Sequence, residues 1–185
     1  ASLEAQICNL ADEIAYNNHD VDDGLRSGLI LLEQLEDVPL FACNVAEVRG
    51  LYPGLGGSRL VHETIRRMIN ILVTDLIEAT ADNLVRMCPR GIVDVRAGKP
   101  LVGFSEGLHH SLKEMKFFLH RHLYRHFQVL RMTSKAQRIV RDLFSAFVSD
   151  PRMLPPRYQS DRDQERQVAD YIAGMTDRYA MKEHR

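Results

Sequence analysis

The sequence contains no tryptophan, three cysteines and no long uninterrupted apolar run. Because Cys8, Cys43 and Cys88 are widely spaced, they form neither a zinc pattern nor a complete disulfide set, and we expect free thiols in a reducing compartment. No segment approaches the roughly 18 apolar residues of a membrane helix, and the first residues lack the layout of a signal peptide. The sequence therefore predicts a soluble, cytoplasmic protein.

A dominant charge of either sign is also absent. The 24 Lys and Arg residues balance 25 Asp and Glu residues, which gives a formal net charge of −1. This balance gives no reason to expect nonspecific binding to nucleic acid. Hydrophobic residues make up 45% of the 185 residues, which is enough for the core of one large helical domain or two small ones.

The clearest pattern lies in the first twenty residues, where Asp12, Tyr16 and Asp20 recur at intervals of four. On a helix each such step advances by about 40°, so the three side chains project along one side and can face one ligand. The opposite side carries an apolar stripe at the spacing of a buried face. This stripe consists of Leu3, Ile7, Leu10 and Ile14.

The polar residues of this helix predict a solvent-exposed flank. They are Gln6, Asn9, Glu13 and Asn17. The neighbours of Asp12 are small or aromatic, and burying a carboxylate costs free energy unless a cation or a hydrogen-bond donor meets it. We therefore interpret Asp12 as turned inward toward such a partner. The alternative is an ordinary Asp12 exposed to water.

Further along the chain, helical periodicity alternates with turn residues. In the first half we predict a short helix after residue 20 that is capped by Asp22 or Asp23, another short helix within 33–47, a loop at 52–58 and a long helix over 58–87. In the second half we predict a long helix from Ser105, a helix capped by Thr133 or Ser134, a connector at 151–161 and a last helix from near Asp161. The loop at 52–58 is rich in glycine but lacks a Walker lysine, so we interpret it as a turn. Residues 92–104 predict a loop or small hairpin. The predicted fold class is all-α and multi-helical.

The helix after Ser105 holds five of the eight histidines. His122 and His126, four residues apart, suit a metal ion, but no Glu lies between them and the sequence indicates no third ligand. A small zinc protein is therefore a minor alternative.

A second pair with the same spacing is His120 and Tyr124. Together with Arg121 and Arg125 they form a cationic and aromatic set that suits an anionic nucleotide. The alternative is a solvated basic face.

Three segments resemble the dGTPase-like deoxynucleoside triphosphate triphosphohydrolases of the HD superfamily. EAQICNLADEIAYNNHDVDDGL resembles a late helix of the HD core, and QVADYIAGMTDRYA resembles the end of the helical domain that follows the core in bacterial members. LHRHLYRH is similar to a substrate-side helix of eukaryotic relatives. The resemblance implies that residues 1–31 end an HD core and that 32–185 form the associated helical domain.

The resemblance also implies roles for five residues. Asp12 corresponds to a ligand of a divalent metal, Mg²⁺ or Mn²⁺. Tyr16 corresponds to a residue that packs on the deoxyribose and excludes a 2′-hydroxyl, and Asp20 to one that accepts a hydrogen bond from the 3′-hydroxyl. His120 and Tyr124 correspond to substrate-binding residues. The family's other metal ligands and its catalytic residues are expected upstream, because the adjacent His19 and Asp20 are not the motif that names the superfamily.

The amphipathic pattern begins at Ala1 without a methionine or a helix cap, so we interpret the chain as the downstream part of a longer protein. The resemblance implies a metal-dependent enzyme that hydrolyses a dNTP to a deoxynucleoside and inorganic triphosphate, and that assembles as a homo-oligomer. We expect this chain alone to be inactive. The alternative function is that of a noncatalytic helical module for regulation or interaction.

Overall fold

The structure is a computed structural model that describes residues 1–159 and 163–185. The described residues form helices and no strand, which confirms the predicted all-α, multi-helical fold. The chain divides into two compact units, residues 1–126 and 127–185. Among the described helices, none combines the length and the apolar character that a membrane crossing requires.

The first unit contains six α-helices and a turn of π-helix. They are α1 (Leu3–Ser27), α2 (Leu32–Leu35), α3 (Pro39–Leu51), α4 (Gly57–Met87), α5 (Ile92–Ala97), α6 (Glu106–Leu119) and the π-helical turn (His120–Tyr124). The core of this unit lies where α1, α3, α4 and α6 pack together. Its most deeply buried side chains include Phe41, Leu72, Met115 and Leu119.

Helix α1 is longer than the sequence predicted, and its start is capped. The Ser2 hydroxyl accepts a hydrogen bond from the backbone N–H of Ala5, so the expectation of an uncapped start is wrong. The predicted break after residue 20 and the short second helix capped by Asp22 or Asp23 are wrong as well. Asp22 instead lies inside α1 and pairs with Arg26 one turn later at 2.9 Å.

The long helix predicted over 58–87 is confirmed as α4, and the predicted turn before it is a loop. The hairpin considered for 92–104 is wrong, because residues 92–97 form α5. The Asp94 carboxylate accepts a hydrogen bond from the backbone N–H of Arg90 at 2.8 Å, and Val95 on the same short helix is buried. This local hydrogen bond and one buried side chain therefore outweigh the β-branched composition.

The described residues of the second unit, 127–159 and 163–185, form three α-helices and two short 3₁₀ turns. They are α7 (Phe127–Ser149), the turns Pro151–Met153 and Pro156–Tyr158, α8 (Gln164–Ala173) and α9 (Asp177–Glu183). The predicted start of α7 at Thr133 or Ser134 is wrong, because the helix begins at Phe127. The predicted start of the last helix near Asp161 lies outside the described residues. Ile139, Leu143 and Phe147 of α7 pack with Val168 of α8 in the core of this unit.

Candidate functional site

Most of the predicted polar flank of α1 packs against neighbouring segments. The side-chain carbonyl of Gln6 accepts hydrogen bonds from the backbone N–H groups of Leu101 and Val102 at 2.9 and 3.2 Å. Glu13 forms an ion pair with Lys116 of α6 at 2.6 Å, and Asn17 is 8% exposed. The expectation of a solvent-exposed flank is therefore wrong for Gln6, Glu13 and Asn17, whereas Asn9 is exposed as predicted.

Asp12 lies on the side of α1 that the described chain leaves open. Its carboxylate is exposed, and the neighbouring Tyr16 is 64% exposed. The inward orientation inferred for Asp12 is therefore wrong for this chain. The opposite apolar stripe is buried at Ile14 and half-buried at Leu3 and Leu10, whereas Ile7 is exposed. The hydrogen bonds of Gln6 and the ion pair of Glu13 hold the flank of α1 against residues 101–102 and α6.

The structure joins two predicted site residues that are far apart in sequence. The hydroxyl of Tyr124 donates a hydrogen bond to Oδ2 of Asp20, across a sequence separation of 104 residues. Burial and this hydrogen bond, in that order of size, raise the pKa of Tyr124 to about 12. The phenol is therefore neutral at physiological pH and acts as a donor. Asp20 is half-buried, and Tyr124 is 44% exposed.

The chain reaches this arrangement through a π-helical turn at the end of α6. The backbone N–H of Arg125 donates to the carbonyl of His120 at 3.2 Å, five residues back instead of four. Such turns insert an extra residue and often occur at functional sites. His120 lies at the start of the turn and is exposed, and Leu123 within it is buried.

Gly24 lets this turn approach α1 closely. A Cβ atom at position 24 would lie 2.7 Å from Cδ1 of Ile30 and 3.3 Å from Cδ1 of Leu123. Since ordinary carbon contacts are about 3.5–4.0 Å, a larger residue would displace both neighbours. The close packing of Gly24 against Leu123 was not predicted from the sequence. The available signal was a glycine inside a helical pattern, which often marks close packing.

The histidine pair considered for zinc lies in a different environment. The His122 ring stacks on Phe118 with ring centroids 4.6 Å apart, and both residues line a groove with Lys113 and Asp37. Within residues 1–159 and 163–185 no group of three or more His, Cys, Asp or Glu side chains is arranged to hold a metal ion. The third ligand that the zinc alternative requires is therefore not found among these residues.

Comparison with protein families first defines the class of this helical chain. Residues 102–185 match the phosphohydrolase-associated domain. The matched stretch covers the end of the loop before α6, α6 itself, the π-helical turn and the second unit. The predicted division between residues 31 and 32 stays a prediction.

Curated relatives then define the family. The chain is 58% identical over 186 aligned residues to a deoxyguanosinetriphosphate triphosphohydrolase-like protein of Ralstonia nicotianae, covering 100% of this chain and 48% of that protein. The like-named protein of Azoarcus sp. is 58% identical, with 100% of this chain and 49% of that protein covered. The like-named protein of Nitrosomonas europaea is 50% identical, with 100% of this chain and 50% of that protein covered.

Over its whole length the chain thus belongs to the family of deoxyguanosinetriphosphate triphosphohydrolase-like proteins. It spans about half the length of the curated relatives that it matches. This agrees with the resemblance inferred from the sequence.

Proposed function

We propose that this chain is the C-terminal part of a dNTP triphosphohydrolase, which converts a dNTP to a deoxynucleoside and inorganic triphosphate. The contact between Tyr124 and Asp20 carries the proposal, because two segments with substrate-side resemblance meet there. The names of the relatives support the same substrate class.

In this proposal the open side of α1 is the side that faces the substrate. Asp12 and Tyr16 are exposed on the described chain, and Asp20 at the same helical interval is half-buried. The part of the relatives that this chain does not cover would close over this side. Tyr16 would then pack its ring on the deoxyribose, and Asp20 would accept a hydrogen bond from the 3′-hydroxyl. A polar acceptor buried with its matching donor discriminates strongly against analogues that lack the donor.

The divalent metal of this proposal finds one candidate ligand here. Asp12 offers carboxylate oxygens, which are the ligand type that Mg²⁺ and Mn²⁺ prefer. Because the described residues contain no group of three or more metal-binding side chains, the remaining ligands would come from the uncovered part of the relatives. We therefore propose that this chain alone does not turn over substrate.

The test uses the complete protein that contains this chain. Release of inorganic triphosphate is measured for each dNTP with Mg²⁺ and with Mn²⁺, and Asp12→Ala is compared with Asp82→Ala. Asp82 is an exposed acidic residue of α4 and serves as the matched control. We expect Asp12→Ala to lose at least about 100-fold, since even outer partners of a metal site are worth about 10–100-fold, and Asp82→Ala to keep full activity.

Failure of the complete protein to release triphosphate from any dNTP with either metal would contradict the proposed function. It would favour the alternative of a noncatalytic helical module. Full activity in Asp12→Ala would instead remove Asp12 from the metal site.

We also propose that the protein assembles as a homo-oligomer. Exposed apolar side chains on α4 and α5 support this, among them Ile77, Val85 and Val93. Light scattering on the complete protein should give a mass that is a multiple of one chain, and Val85→Glu should reduce that mass if this surface lies between subunits. A monomeric mass for the unaltered protein would contradict the proposal.

A further inference from the structure

We propose that Tyr124 is a positioning residue whose hydroxyl holds the carboxylate of Asp20, and that Gly24 and Leu123 set the approach of α1 and the π-helical turn on which this contact depends. The inference deepens the proposed function and rests on it in one respect, which is that Asp20 binds the sugar.

The two oxygens of the Asp20 carboxylate can bind different donors. The Tyr124 hydroxyl occupies Oδ2 of Asp20. A carboxylate has two oxygens and about four acceptor positions, so Oδ1 stays available for a second donor. A side chain fixed at one oxygen keeps the other in a defined direction, because its χ angles no longer sample other rotamers. Tyr124 therefore orders Asp20 without consuming its capacity to bind a substrate hydroxyl.

The π-helical turn sets the direction in which the Tyr124 side chain leaves the helix. The bond from Arg125 to the carbonyl of His120 adds one residue to the turn that ends in Tyr124. An uninterrupted α-helix would differ by one residue of register, which is about 100° of rotation around the axis. That rotation would carry the phenol away from α1. The extra residue is therefore what directs Tyr124 toward Asp20.

Helix α1 and the π-helical turn lie close together at Gly24. Gly24 lies one helical turn after Asp20 on α1, and Leu123 precedes Tyr124 in the π-helical turn. A Cβ atom at position 24 would lie 3.3 Å from Cδ1 of Leu123, so the turn lies closer to α1 than an alanine at this position would accept without a shift. Because the two contacts are neighbours on both elements, moving Leu123 outward also moves Tyr124 away from Asp20.

The first measurement is made on the chain of 185 residues and needs no substrate. The tyrosines are labelled with ¹³C at Cζ and titrated by NMR, and the Tyr124 resonance is assigned by its loss in Tyr124→Phe. We expect Asp20→Asn to lower the pKa of Tyr124 from about 12 toward the ordinary value, and Gly24→Ala to do so in part. An unchanged Tyr124 titration in Asp20→Asn would overturn the proposal.

The second measurement separates positioning of Asp20 from direct contact with the substrate. The complete protein is assayed with a dNTP and with the matching 2′,3′-dideoxynucleotide, which lacks the hydroxyl that Asp20 would bind. We expect Tyr124→Phe to lower kcat/KM for the dNTP about tenfold, typical of one hydrogen bond to a charged group, and to leave kcat/KM for the dideoxynucleotide unchanged. The control is Tyr52→Phe, since Tyr52 is 48% exposed and lies outside the site.

Two outcomes of this assay are decisive. Equal losses with both nucleotides would overturn the positioning role, because Tyr124 would then act on the substrate directly. A complete protein that hydrolyses no dNTP would overturn the proposed function, and the NMR titration would still decide whether Tyr124 and Asp20 are coupled.

Discussion

Gly24→Ala is the substitution that tests the packing of the site most sharply. In an open helical position, alanine is favoured over glycine by about 1 kcal/mol. Here the added Cβ would lie 2.7 and 2.8 Å from two atoms of Ile30, so this side chain, which is 1% exposed, would have to shift. Overpacking of this kind costs about 1–3 kcal/mol. Because the propensity gain of about 1 kcal/mol offsets part of this cost, the free energy of unfolding should fall by up to about 2 kcal/mol.

The assay is a urea titration of the whole chain, followed at the backbone amides of α1 by NMR. Following single amides matters because the chain has two compact units that need not unfold together. The matched control is Gly107→Ala, since a Cβ at this exposed position of α6 meets nothing within 4 Å. Gly107→Ala should raise the stability by up to about 1 kcal/mol. If Gly24→Ala stabilises the chain as much as Gly107→Ala does, the close approach of Leu123 and Ile30 is refuted.

Three further predictions follow from the same structure. Leu123→Ala removes a buried side chain and should lower the free energy of unfolding by about 2–5 kcal/mol in the urea titration, and a loss below about 1 kcal/mol would mean that the turn is not packed on α1. A double-mutant cycle of Glu13→Ala and Lys116→Ala should give a coupling of about 0.2–1 kcal/mol that shrinks in high salt, whereas a salt-independent coupling would show that the pair is not electrostatic. The hydroxyl of Tyr179 and, to a smaller extent, burial raise the pKa of Tyr171 to about 12, so its contribution to stability is present below pH 10 and is lost as the pH rises toward 12. Tyr179→Phe should lower that pKa in a tyrosinate absorbance titration, and an unchanged titration would contradict the contact.

The long helices could be predicted from sequence, because their patterns are periodic over many turns. Helix α4 runs from Gly57 to Met87, within one residue of the predicted start, and five of its apolar residues are buried. Short elements were predicted less well. Helix α5 forms with Val95 buried although its N-cap has no side-chain hydrogen bond, and residues 20–24 are helical, with Val21 and Gly24 buried, where acidic and glycine residues suggested a break.

The orientation of α1 could not be predicted from its own residues. Its polar flank is half-buried at Gln6 and Glu13 because residues 101–102 and α6 supply partners to these two side chains, and no rule based on one helix identifies such partners. The pairing of Asp20 with Tyr124 could be predicted in part, because both residues lie in segments that resemble substrate-side elements. The π-helical turn that joins them left no recognisable pattern in the sequence.

We propose that the complete protein cleaves a dNTP between its 5′-oxygen and the α-phosphorus. The most direct test is ³¹P NMR of the reaction in water enriched in ¹⁸O. We predict one phosphate product, inorganic triphosphate, with the label on a terminal phosphoryl group and an unlabelled deoxynucleoside. Pyrophosphate or orthophosphate as the first product, or label in the 5′-hydroxyl of the nucleoside, would contradict the claim.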